Sequence, residues 1–121
     1  RPVLHSDVVT AARHLLTVPD FLREMVIRKL IFRADAADAF RRRSGICHRL
    51  WGDGTLEAVA SQYRLAPEPF LNDQAYCTCM ELVFAALLDA RMNALQTNVI
   101  SEAKADLTEL CKKTVSDQLL K

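Results

Sequence analysis

Apolar residues recur along this chain at intervals of three and four, the spacing of helices that bury one face. Val8, Val9, Ala12, Leu15 and Leu16 share one such face. Asp7 falls in the first turn, and Ser6 is expected to cap it. Val18-Pro19 interrupts the pattern. Thr17-Val18-Pro19-Asp20 then reads as a capping box with Asp in place of Glu. A second helix is predicted to about Arg43, with Leu22, Met25, Val26, Leu30, Ala37 and Phe40 at helical spacing. Ser44-Gly45 ends it, because Gly accepts the left-handed exit conformation.

Residues 45–54 form a loop, and Asp53 or Thr55 opens a short third helix to about Tyr63. Pro67 and Pro69 around Glu68 exclude regular helix there. Asn72 or Asp73 caps a fourth helix. From Phe70 to the end there is neither Gly nor Pro, so this segment is predicted to be helical. Its apolar rhythm weakens over 96–101 and resumes at Ile100, Ala103, Leu107 and Leu110, with Ser101 as the cap of a fifth helix. The predicted fold is all-α: a single bundle of four to five helices with a buried central helix around Met80–Leu88. Residues 1–95 form its core, and 96–121 form a C-terminal helix suited to oligomerisation.

Two thiols stand one residue apart in the fourth helix, at Cys77 and Cys79. Helical neighbours are about 100° apart, so these two point to nearly opposite sides. Tyr76, Cys79, Val83, Ala86, Leu87, Ala90 and Ala94 form one stripe. Cys77 lies on its flank with Phe84, Leu88 and Leu95, and Gln74, Thr78, Glu81 and Asp89 form the polar side. Apolar positions cover more than half the girth, so both thiols read as small core residues of a helix packed on two sides. The competing reading gathers Cys47, His48 and Cys77 around a metal ion or small ligand. Cys-x-Cys within a helix lacks the turn geometry of a zinc knuckle, and His5, His14 and His48 show no ligand spacing. No cofactor or metal is expected.

Composition bounds the class. The 121 residues are 50% hydrophobic, enough for one domain core. The three glycines and four prolines are too few for the turns of a β-rich domain. The net charge of +1 supplies no global field for nucleic acid or membrane. Residues 1–64 carry 11 Lys and Arg against 7 Asp and Glu, while 65–121 carry 5 against 8. The longest apolar run, Leu82–Leu88, falls far short of the roughly 20 residues of a bilayer-spanning helix. The chain starts at Arg1 with no secretory leader, and a cytoplasmic protein is expected.

Three candidate surfaces remain. Arg41, Arg42 and Arg43, with Arg49 and Arg64 nearby, could meet phosphate or an acidic partner. The simpler reading is that cations favour the last turn of a helix. Thr55–Leu65 resembles the first half of a helix-turn-helix, but the next helix begins NDQAYCTCMELVF, with acids and no Lys or Arg. Nucleic acid is therefore disfavoured. Ile100, Leu107 and Leu110 form a stripe that needs cover from the chain's own bundle, a second copy or another protein. GDG lacks the Lys-Ser/Thr of a phosphate loop, and Glu81 and Asp89 do not form a catalytic carboxylate pair. Trp51 is expected to pin its loop to the bundle.

The runs LWGDGTLEAVA and LAPEPFLNDQAYCTCMELVFAAL, with RPVLHSDVV and ADAADAFRRRSG, resemble a family of short uncharacterised alphaproteobacterial proteins of Rhodobacterales type. The resemblance covers roughly residues 1–90. It implies a bacterial, cytoplasmic protein and supplies neither a function nor a catalytic residue. The segment after Met92 extends beyond it, as a lineage addition or an assembly element. The function expected from the sequence is a non-enzymatic interaction module that associates with itself or another protein. The alternatives are ligand or metal binding at Cys47, His48 and Cys77, and nucleic-acid binding at Arg41–Arg43.

Overall fold

The computed structural model describes residues 1–95. The protein is all-α. Helices α1 (His5–Leu15), α2 (Asp20–Ser44) and α3 (Leu56–Ala60) precede α4, which covers 74–95 of the described residues. Among those residues the only β pairing is a single bridge, His48 to Gly52. No described helix is long and apolar enough to cross a membrane. The chain divides into two compact units, Arg1–Leu88 and Asp89–Lys121. The described part of the second, 89–95, is helical. The predicted fifth helix lies outside the described residues.

The start of α1 differs from expectation. Leu4, not Ser6, occupies the N-cap position, and Ser6 is exposed within the first turn. The Leu4 N–H donates to Asp7 Oδ2 at 2.7 Å. A carboxylate three residues on reaches back to the cap, and its charge makes that bond stronger than one to a hydroxyl. Asp7 is only 2% exposed, and its other oxygen, Oδ1, accepts the Glu57 N–H at 2.9 Å. One buried carboxylate thereby ties the first turn of α1 to the first turn of α3. Val8, Ala11, Ala12 and Leu15 bury the inner face of α1.

Thr17 does not cap α2. Its hydroxyl donates to the His14 carbonyl at 2.7 Å, so it serves the end of α1 instead. Pro19 is the N-cap residue, without a side-chain cap bond, and its carbonyl accepts the Leu22 N–H. Arg23 Nε donates to the carbonyls of Leu15 and Val18, at 2.9 and 3.0 Å. The guanidinium thus adds a donor to the backbone carbonyls where α1 ends. Asp20 pairs with the same guanidinium. At the other end of α2 the prediction holds: Gly45 exits at φ 75°, and its N–H donates to the Arg41 carbonyl at 2.8 Å.

The buried face of α2 is Ile27, Leu30, Ile31, Ala34, Ala37 and Asp38. This is rotated from the predicted stripe, and Met25 stands exposed. The sequence left the choice ambiguous because Phe21, Met25 and Phe32 place large apolar groups on the outer side as well. The small Ala34 and Ala37 mark the inner side, where neighbouring backbone comes close. At Gly54, a Cβ would lie 2.7 Å from both Cα and Cβ of Asp38.

Thr55 caps α3 as predicted, accepting the Ala58 N–H at 3.1 Å. Asp53 Oδ1 in turn accepts from the Thr55 N–H and hydroxyl, at 3.0 and 2.7 Å. The proline-containing strap that follows is clasped to α1. The Ala66 N–H donates to the Arg13 carbonyl at 3.1 Å, and Arg13 Nε donates to the Ala66 carbonyl at 2.7 Å. Asp73 caps α4 by accepting the Tyr76 N–H at 2.9 Å. Tyr76, Cys79, Val83 and Ala86 are the residues α4 buries in the core.

Asp38 and Asp53 set an expectation for acid. A hydrogen bond from Arg41, at 3.0 Å, holds the Asp38 carboxyl below its ordinary value; burial opposes this and the Arg42 charge assists it. The Thr55 hydroxyl and backbone N–H do the same for Asp53. Both groups bind protons more readily unfolded than folded. Their stabilisation is therefore present above the ordinary carboxylate range, about pH 4, and is lost as pH falls through the lower folded-state values. The urea midpoint should fall steeply below about pH 4. Asp38→Asn should lower the midpoint at neutral pH and flatten that acid slope. An unchanged slope in the variant would remove Asp38 from the account.

Candidate partner-binding surface

The outer side of α4 within Arg1–Leu88 carries Cys77, Phe84 and Leu88 at helical spacing. The sequence pattern had these as one flank of a helix packed on two sides. The structure corrects this. Phe84 is 54% exposed, Leu88 64% and Leu95 62%, and Cys77 is exposed. Within Arg1–Leu88, α4 packs through one face only. The outer row was visible in the sequence, and a clue to its exposure was present too. Glu81 falls beside that row, and charges are rarely spent on a buried flank.

The two thiols have different settings. Cys79 is fully buried, and burial pushes its thiol up, away from the reactive thiolate. Cys77 is not the core residue expected; its thiol donates to the Leu71 carbonyl at 2.8 Å. Leu71 and Phe70 are themselves exposed, which adds apolar surface beside the start of the row.

The set Cys47, His48 and Cys77 is not assembled as a metal site. Among the described residues, no three His, Cys, Asp or Glu side chains are grouped so as to hold an ion. His48 has a structural task instead. Its Nδ1 accepts the N–H groups of Leu50 and Trp51, at 3.1 and 3.0 Å. Its ring stacks on Trp51, with centroids 4.7 Å apart, and meets the edge of Phe40 at 5.2 Å. The Arg33 guanidinium lies over Trp51 and over Tyr63, and His14 stacks on Tyr63 at 5.1 Å. Arg33 also donates to the Tyr63 hydroxyl. Trp51 therefore pins its loop, as the sequence suggested, through a row of rings and one cation.

The basic run is partly committed. Arg41 and Arg42 converge on the buried Asp38 at 3.0 and 2.8 Å, while Arg43 is exposed. Two of the three guanidinium groups are thus engaged by one carboxylate within their own helix. The remaining candidates, Ile100, Leu107 and Leu110, lie outside the described residues.

No curated protein and no solved structure matches this chain. One family model does, over residues 1–87. That span takes in the buried Asp7, the Trp51–Gly54 loop, and the row on α4 as far as Phe84. The chain belongs to the family described as Domain of unknown function (DUF7742).

Proposed function

We propose that this chain is a non-enzymatic protein-interaction module and that α4 presents its binding face. The supporting observation is the exposed apolar row that includes Phe84 and Leu88. Leaving apolar area in water forgoes about 25 cal/mol per Å². A contiguous row of large side chains is a common mark of a docking surface. Protein is favoured over nucleic acid as the partner for two reasons. Asp38 engages Arg41 and Arg42, and the rings of Trp51 and Tyr63 already stack on groups within the fold. The module works in the cytoplasm of an alphaproteobacterium, a placement supported by the family resemblance of its sequence.

The test is a photocrosslinking amino acid in place of Phe84, with the exposed Glu57 as the control position. Irradiation of expressing cells should give a protein adduct from position 84 and none from position 57. Failure to obtain any protein adduct from position 84 overturns the proposal.

A further inference from the structure

We infer that the loop 46–52 is a latch opened by acid, and that a proton on His48 opens it. The loop turns back on itself between His48 and Gly52, which exchange two backbone hydrogen bonds of 3.0 Å. The His48 side chain braces this turn. Its Nδ1 faces the N–H groups of Leu50 and Trp51, at 3.1 and 3.0 Å. Two donors aimed at one nitrogen require a lone pair there, so the ring carries its proton on Nε2. A second proton turns Nδ1 into a donor and ends both bonds at once. Three N–H groups then point at one another, and the ring must turn away. In turning, it gives up the stack on Trp51 and the edge contact to Phe40 of α2.

The charges around the ring do not offset this loss. Arg33, on α2, lies over Trp51 at 5.8 Å and donates to the Tyr63 hydroxyl. Cys47 and Arg49 flank His48 in the loop, and Gln62 donates to the Leu50 carbonyl. The carboxylates of the adjoining segments have other partners. Asp38 engages Arg41 and Arg42, and Asp53 engages Arg1 and Thr55. His14 shows the opposite arrangement. Its Nδ1 lies 2.8 Å from the Arg64 carbonyl and donates to it, so a second proton leaves that bond in place.

The bundle does not depend on the latch. Gly54 abuts Asp38, and Thr55 caps α3, whichever form His48 takes. Release therefore frees the turn from α2 and uncovers the Trp51 ring while the helices stay in place. Imidazole titrates near pH 6.5, well above the carboxylate range of about pH 4 in which Asp38 and Asp53 yield. Acid should act on this protein in two separate stages.

The test is acrylamide quenching of Trp51, the only tryptophan of the chain, in the purified full chain. Emission intensity alone does not suffice, because an imidazolium beside an indole dims it without any movement. From about pH 7.5 to about pH 5.5 the quenching constant should rise at least about twofold. Far-ultraviolet circular dichroism should stay unchanged over the same interval. His48→Asn places an amide oxygen where it accepts the same two N–H groups, as in an Asx-turn, and it does not titrate. That variant should stay protected at both pH values. His48→Ala should be open at both.

Equal quenching of the wild type at the two pH values overturns the inference. So does an Asn variant that responds to acid as the wild type does, or an Ala variant as protected as the wild type at neutral pH. A rise accompanied by loss of helix overturns it as well, since the bundle and not the loop has then opened.

Discussion

Gly54→Ala should unfold a large share of the molecules under conditions where the wild type is fully native, at a cost of about 3–5 kcal/mol. Two effects add. Gly54 sits at φ 98°, a backbone region that L side chains rarely enter. The new Cβ would also stand 2.7 Å from Cα and Cβ of Asp38 and 3.0 Å from its amide nitrogen. None of these atoms is the movable tip of a flexible side chain. Relief requires α2 to shift at the residue whose carboxylate gathers Arg41 and Arg42. Gly45→Ala separates the two causes. Gly45 also has positive φ, at 75°, but nothing lies within 4 Å of a Cβ built there. It should cost only about 1 kcal/mol. Chemical denaturation of both variants measures the difference. Equal losses would show that the close approach to α2 contributes nothing.

Asp7→Ala is expected to be nearly as damaging, at about 2–4 kcal/mol. The substitution removes a side chain that is 2% exposed, and with it the acceptors of the Leu4 and Glu57 N–H groups. Both bonds are to a carboxylate, the stronger class. The freed amides belong to the first turns of two helices, where no intrahelical acceptor exists for them. Asp7→Asn should not rescue fully. An amide keeps one acceptor oxygen but turns an N–H₂ toward one of the two backbone donors. Urea denaturation gives the stability loss. Hydrogen exchange gives its location: the Glu57 amide should exchange faster in Asp7→Ala. A loss below about 0.5 kcal/mol would reduce Asp7 to an ordinary helix-start residue.

Local chemistry made much of this fold legible. Pro19, Gly45, Thr55 and Asp73 mark helix ends in the sequence, and the structure uses each of them there. These signals work because the partner groups lie within four residues. The failures have the opposite character. Ser6 and Thr17 are both good caps by type, and both lost the role. At α1 the deciding residue was Asp7, whose second oxygen binds an amide from α3. Thr17 turned its hydroxyl back to the end of α1. The buried face of α2 was also hidden, since Phe21, Met25 and Phe32 imitate a core stripe on the wrong side.

The binding face was half legible for the same reason. Periodicity grouped Cys77, Phe84, Leu88 and Leu95 on one side of α4. It could not say whether another helix covers that side. That depends on tertiary packing, and α4 buries Tyr76, Cys79 and Val83 instead. Glu81 carried the missing hint. A charge beside an apolar row fits an exposed side and not an interior.

The bond from Asp7 to Glu57 spans 50 residues of chain. It has a bearing on synthesis that the finished structure conceals. A nascent chain that has emerged only as far as Gly54 holds the carboxylate and its Leu4 donor but not the Glu57 amide. The α1–α2 hairpin is then complete in sequence and incomplete in energy. Its buried acid has the Leu4 donor but lacks the Glu57 one, and Leu56, Val59 and Ala60 are not yet there to cover its apolar faces. Contacts of such range form late, because the loop must be closed before they contribute anything. The first two helices therefore gain this contact only once α3 has been made, and the core closes only when Tyr76, Cys79 and Val83 of α4 follow.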